Sequence, residues 1–120
     1  GDIYLAGDRD RIIGLYAGAS PLSNQVGIRI GVDQLPLGIC TSSGTVGHSL
    51  SFGKADAVVV LAPDAALSDA VATAAANRVQ TPEDIQRALD FLSGIPGVTG
   101  AVAVVGDKMG AWGAIELCRL

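Results

Sequence analysis

Asp69 and Thr73 stand four residues apart in the stretch Leu67–Ala75, inside a run that is otherwise mostly alanine. In a helix, positions i and i+4 lie on one face, one turn apart. A carboxylate and a hydroxyl then project side by side from an element whose other residues favour burial. Two hard oxygens so placed suit a small dication such as Mg²⁺, which takes one or two carboxylates and fills its other positions with water or substrate phosphate. The same spacing has a local alternative. Asp69 faces solvent, and the Thr73 hydroxyl bonds back to the carbonyl of Ser68 or Asp69. Periodicity alone leaves both open.

A second segment carries chemistry of a different kind. Gly38–Ser49 is dense in glycine and small hydroxyl residues, with Thr41, Ser42, Ser43, Gly44 and Thr45 in succession. Glycine admits close approach of the backbone to a ligand, and successive amides with Ser and Thr hydroxyls can cradle a phosphate. A plain surface loop has the same composition. His48, the single histidine, can orient a ligand or relay a proton.

Several other chemistries are excluded. Gly47–Lys54 ends in Gly-Lys, but its first glycine is one residue too far upstream for a Walker loop, and Ala55 replaces the hydroxyl residue that loop needs. No Gly-x-Ser-x-Gly elbow occurs around Thr41–Gly44. With one histidine and two cysteines that lack metal spacing, a zinc site made by this chain alone is not expected. Cys40, at the end of an expected strand, reads as a core residue.

The elements that must position these groups follow from composition and pattern. The chain has 120 residues, 49% of them hydrophobic with few aromatics, so a core of Val, Ile, Leu and Ala is expected in one domain, residues 1–120. Eight basic residues are scattered against twelve acidic ones, a net charge of −4, which argues against nucleic acid as a partner. The longest apolar run, Ala55–Ala66, is interrupted by Asp56, Pro63 and Asp64 and is too short for a membrane span. The sparse cysteines suit a reducing, cytoplasmic compartment. The chain opens at Gly1-Asp2-Ile3, already in an expected strand, and we expect a preceding N-terminal segment of the same protein as a partner of this one, with a homo-oligomer as a further expectation.

Asp2–Ala6, Arg11–Tyr16, Val26–Ile30 and Pro36–Thr41 read as short strands, and the β-branched run Ala57–Ala62 as a buried central one. Asp64 is placed to cap a helix that ends at Asn77, with Leu67, Ala70, Val71 and Ala74 as its apolar face. Thr81-Pro82 opens a second helix whose core side is Ile85, Ala88, Leu89 and Leu92. Ala101–Val105 and Ala111–Leu117 complete the strands, joined by a loop over Gly106–Gly110. The order predicts an α+β fold, a mostly antiparallel sheet with two adjacent helices packed on it.

Taken together, these residues resemble the ApbE superfamily, the FAD:protein FMN transferases, in an uncharacterised branch. The likeness covers most of residues 1–76. Gly1-Asp2-Ile3 is similar to the tail of the family's Gly-Gly-Asp-Ile motif, and Thr41-Ser42-Ser43-Gly44 to its Thr-Ser-Gly strand end. His48 falls where its His-x-x-Asp-Pro segment begins, though Ser49–Gly53 carries no Asp-Pro. Ser68–Ala74 resembles its Ala-Asp-Ala-Leu-Ala-Thr-Ala helix. The resemblance implies Mg²⁺ at Asp69 and Thr73, the FAD pyrophosphate at Thr41–Thr45 and transfer of FMN to a partner protein. It leaves two alternatives in view, a non-catalytic flavin- or nucleotide-binding protein and a structural or oligomerising domain.

Overall fold

A computed structural model of the chain describes residues 2–18, 20–43 and 55–120. The β-branched run Ala57–Ala62 forms strand β5, every residue of which is buried. It lies at the centre of a five-stranded antiparallel sheet in the order β1-β4-β5-β6-β7, with β1 at Asp2–Leu5, β4 at Leu37–Ser42, β6 at Gly100–Val105 and β7 at Lys108–Gly113. Successive side chains leave a strand on opposite faces. Val58, Val60, Ala101 and Ala103 meet the helices α1 (Ala65–Ala76) and α2 (Ile85–Ser93). Ala57, Val59, Leu61, Val102 and Val104 meet Leu15, Ile28 and Ile30 on the other side. The fold is α+β, as the order of elements predicts.

Ile28 and Ile30 belong to a second sheet that the sequence did not separate from the first. It has three antiparallel strands in the order β2-β3-β8, at Arg11–Gly14, Val26–Ile30 and Glu116–Arg119. The expected final strand Ala111–Leu117 is therefore two strands in two sheets. Gly113, at φ 80°, makes the break, and a side chain there would collide with the backbone of Thr99. The expected loop over Gly106–Gly110 shrinks to a two-residue hairpin, since Val105 pairs with Lys108 and Gly106 supplies φ 60°.

The Asp64 carboxylate caps α1, accepting from the amides of Ala66 at 2.8 Å and Leu67 at 3.3 Å. The buried face of α1 is Ser68, Val71, Ala72, Ala75 and Ala76, which keeps Val71 of the expected face and replaces Leu67, Ala70 and Ala74. Alanine fills most positions around this helix, so its sequence carries little rotational preference, and packing on the sheet decides which side is inward. Helix α2 buries Ile85, Ala88, Leu89 and Leu92, as its spacing predicts.

A 3₁₀ turn at Pro82–Asp84 leads into α2. The Asp84 carboxylate reaches back to the amides of Gln80 at 2.9 Å and Thr81 at 3.2 Å. Those two amides, with a smaller contribution from Arg87, hold its carboxyl below the ordinary value of 3.8. A depressed folded-state value means that the group's stabilising contribution is present above pH 3.8 and is lost as pH falls through the folded value. The stability difference between the native chain and Asp84→Asn is expected to shrink with acidification in that window. Denaturant titrations of both proteins at stepped pH read it, and a pH-independent difference would refute this role.

Among the described residues no helix is long and apolar enough to cross a membrane.

Candidate functional site

Strand β4 presents Cys40 to the helices and Leu37 and Ile39 to the second sheet. Gly38 shares the face of Cys40, two residues back. It lies directly under the start of α1, where an added Cβ would stand 2.6 Å from Cα of Ala65. One helical turn of four residues rises about 6 Å, and two strand residues span about 6.6 Å. The contact of Ala65 with Gly38 therefore repeats as Asp69 beside Cys40. On the other flank β1 pairs antiparallel with β4, and Asp2 stands opposite Cys40. Directly opposed residues share a face, so Asp2 reaches the same corner.

The result is a cluster drawn from three elements. Cys40 Sγ lies 3.0 Å from Oδ1 of Asp2 and 3.5 Å from Oδ1 of Asp69. One ligating atom from each residue lies within 4.8 Å of the other two. Cys40 is 2% exposed, whereas both aspartates are open to solvent. Burial, then the neighbouring Asp2 carboxylate and after it Asp69, push the thiol far above its ordinary range. It is a neutral donor, and its one proton goes to the nearer carboxylate, Asp2. Among the described residues, the ion pairs join Arg29 to Glu116, Arg87 to Asp84 and Lys108 to Asp107. None of them supplies a counter-charge to Asp2 or Asp69.

The expected site residues meet this corner unevenly. Asp69 is in it. Thr73 follows one turn along α1, where its hydroxyl donates to the carbonyl of Asp69 at 3.3 Å, the local bond that its spacing allowed. Ser42 is buried on β4, two residues beyond Cys40 and by strand alternation on the same face. Thr41 alternates to the opposite face. The Ser43 hydroxyl donates to the carbonyl of Ala55 at 3.5 Å. Ser43 is the first residue past the end of β4. Gly44, Thr45 and His48 lie outside the described residues.

Local spacing singled out Asp69 but neither Asp2 nor Cys40. Asp2 and Asp69 lie 38 and 29 residues from Cys40. Only the β1–β4 register and the placement of α1 bring them together. The available signal was indirect: Gly1-Asp2-Ile3 resembles a family motif, and its aspartate has no local task.

Chemically, two adjacent carboxylates that have no basic partner among the described residues are a donor pair of the kind a divalent cation can share. The oxygens fit Mg²⁺, which takes one or two carboxylates and keeps several waters. The Cys40 sulfur beside them, a neutral thiol, adds no hard ligand.

Comparison with known proteins places relatives beside this geometry. A family model described as "AbpE bacteria" matches residues 1–109. A UPF0280 protein of Methanocella arvoryzae is 47% identical over 115 residues, 96% of this chain and 46% of the relative. A UPF0280 protein of Methanoculleus marisnigri is 52% identical over 94% of this chain and 45% of its own length. One of Methanosphaerula palustris is 48% identical over 96% and 47%. The chain thus spans about half the length of the curated relatives it matches.

Proposed function

The chain belongs to the family described as AbpE bacteria, and from that premise we propose that it supplies the cation-binding part of a protein that holds FAD by its pyrophosphate. The observation that supports this most is the meeting of the Asp2 and Asp69 carboxylates from separate elements, with no basic side chain paired to either among the described residues. The likeness of Ser68–Ala74 and Thr41–Gly44 to the FMN transferase motifs extends the reading to the ligand.

In this reading Asp69 and Asp2 anchor the cation from α1 and β1. Thr73, one turn along α1, offers a further oxygen. Ser42, on the face of Cys40, with Ser43, Gly44 and Thr45 after it in the chain, would hold a phosphate close to the cation by hydroxyls and amides, whereas the Thr41 hydroxyl, on the opposite face, drops out of the expected set. His48 orients the ligand or carries a proton at the phosphoryl oxygen. A bound divalent cation neutralises pyrophosphate charge and polarises its P–O bond. The reaction proposed is transfer of FMN to an acceptor side chain. We assign it to the cytoplasm, in keeping with two free cysteines.

The test is incubation of the full-length protein with FAD and a divalent cation, followed by separation of the flavin products. Cation-dependent appearance of AMP or of protein-linked FMN supports the transferase. Tight FAD binding with no turnover supports a non-catalytic flavin-binding protein instead. No binding of FAD under any metal condition would leave the structural alternative.

A further inference from the structure

We infer that β1 is an interior strand in the full-length protein: a strand from the part of that protein outside residues 1–120 pairs with its free edge and covers Ile3 and Tyr4. The inference is independent of the cation reading and concerns how the two parts of the protein join.

The first support is the side chains of β1. Asp2–Leu5 pairs with β4 on one side, and its other side is an edge of the five-stranded sheet. Directly opposed residues share a face. Ile3, opposite Ile39, lies on the face toward the second sheet, and Tyr4, opposite Gly38, on the face toward α1. Ile3 is 40% and Tyr4 58% exposed. A strand with one solvent face alternates apolar and polar residues. Ile3-Tyr4-Leu5 is instead an unbroken apolar run, the pattern of a strand covered on both faces.

The second support is the lack of protection along this edge. Among the described residues the two sheets end at β1, β7, β2 and β8. A free edge is a template for pairing, and charged side chains, lysine above all, guard against it. Strand β7 carries Lys108, β2 carries Arg11, and β8 carries Glu116 and Arg119. Strand β1 has only Asp2, whose carboxylate is turned toward α1 and accepts from the Cys40 thiol at 3.0 Å. Ile3, Tyr4 and Leu5 are left unguarded.

The occupant follows from length. The chain spans about half the length of its curated relatives, so as much polypeptide again is at hand to cover the edge. A second copy fits less well. The edge is four residues long, whereas stable interfaces between separate proteins bury roughly 1,200–2,000 Å². A segment of the same chain needs no such area, because its tether gives an effective concentration on the order of millimolar. Main-chain hydrogen bonds hold the added strand, and its alternate side chains pack on Ile3 from one face and on Tyr4 from the other.

The experiment is amide-resolved hydrogen exchange on native full-length protein at two widely separated concentrations, with the molecular mass read by light scattering at each. An edge strand bonds only alternate amides to its single neighbour, whereas an interior strand bonds every one. The expected result is slow exchange at each of the Ile3, Tyr4 and Leu5 amides, comparable with β5 and unchanged on dilution. Fast exchange at alternate amides of β1 would overturn the inference. Slow exchange that is lost on dilution as the mass halves would give the edge to a second copy and overturn it as well. Neither FAD nor a cation enters the readout, so failure here is distinct from failure of the proposed function.

Discussion

Asp69→Asn is expected to weaken divalent-cation binding by the full-length protein more than about 100-fold, beyond what loss of an outer-shell partner costs at metal sites. The substitution keeps size and shape and removes the charge that a dication requires. Asp69 is exposed on α1, and its carboxylate faces Asp2 across the Cys40 sulfur. Its loss therefore removes like-charge repulsion and leaves the melting temperature unchanged or slightly raised. Thr73→Val is expected to act in the same direction and much more weakly, since its hydroxyl already has the Asp69 carbonyl at 3.3 Å. Calorimetric titration and thermal melts of the two variants separate this account from its rival. A structural Asp69 would instead cost stability on the order of 1 kcal/mol with cation affinity unchanged.

Gly38→Ala carries the largest expected stability effect. The added methyl would stand 2.6 Å from Cα and 2.8 Å from N of Ala65, both backbone atoms, so no rotamer change relieves the clash. Helix α1 must lift from β4, at a cost of about 1–3 kcal/mol by analogy with overpacked cores. Lifting α1 also carries Asp69 away from Cys40, so cation affinity falls together with stability. Gly94→Ala serves as the control, because its nearest new contact is an ordinary 3.6 Å to the Phe91 carbonyl. Denaturation midpoints for both variants read the difference. Equal midpoints would mean that the close approach of α1 to the sheet is not what Gly38 is for.

Those two residues also show where the sequence was legible. The central strand could be read from Ala57–Ala62, because an unbroken β-branched run requires cover on both faces, and it has it. Helix α2 could be read because Ile85, Ala88, Leu89 and Leu92 recur at helical spacing among polar neighbours. Helix α1 could be located by its Asp64 cap but not rotated, since an alanine-rich surface is nearly the same on every side. That rotation turns Asp69 toward β1, and so the site depended on the one property its helix did not encode locally. The second sheet was hidden for a related reason. Residues 111–117 read as one apolar strand, and only the backbone turn at Gly113 divides them between two sheets. Asp2 joins Cys40 through strand register alone, a relation that no short window contains.

The most direct measurement is calorimetric titration of FAD into the full-length protein in the presence of a divalent cation and again after chelation, with Asp69→Asn beside the native chain. A cation site that receives a pyrophosphate predicts that FAD binds with the ion, that binding is lost on chelation, and that Asp69→Asn reproduces the chelated state in the presence of the ion. FAD binding of equal affinity with and without the ion, in both proteins, would contradict it.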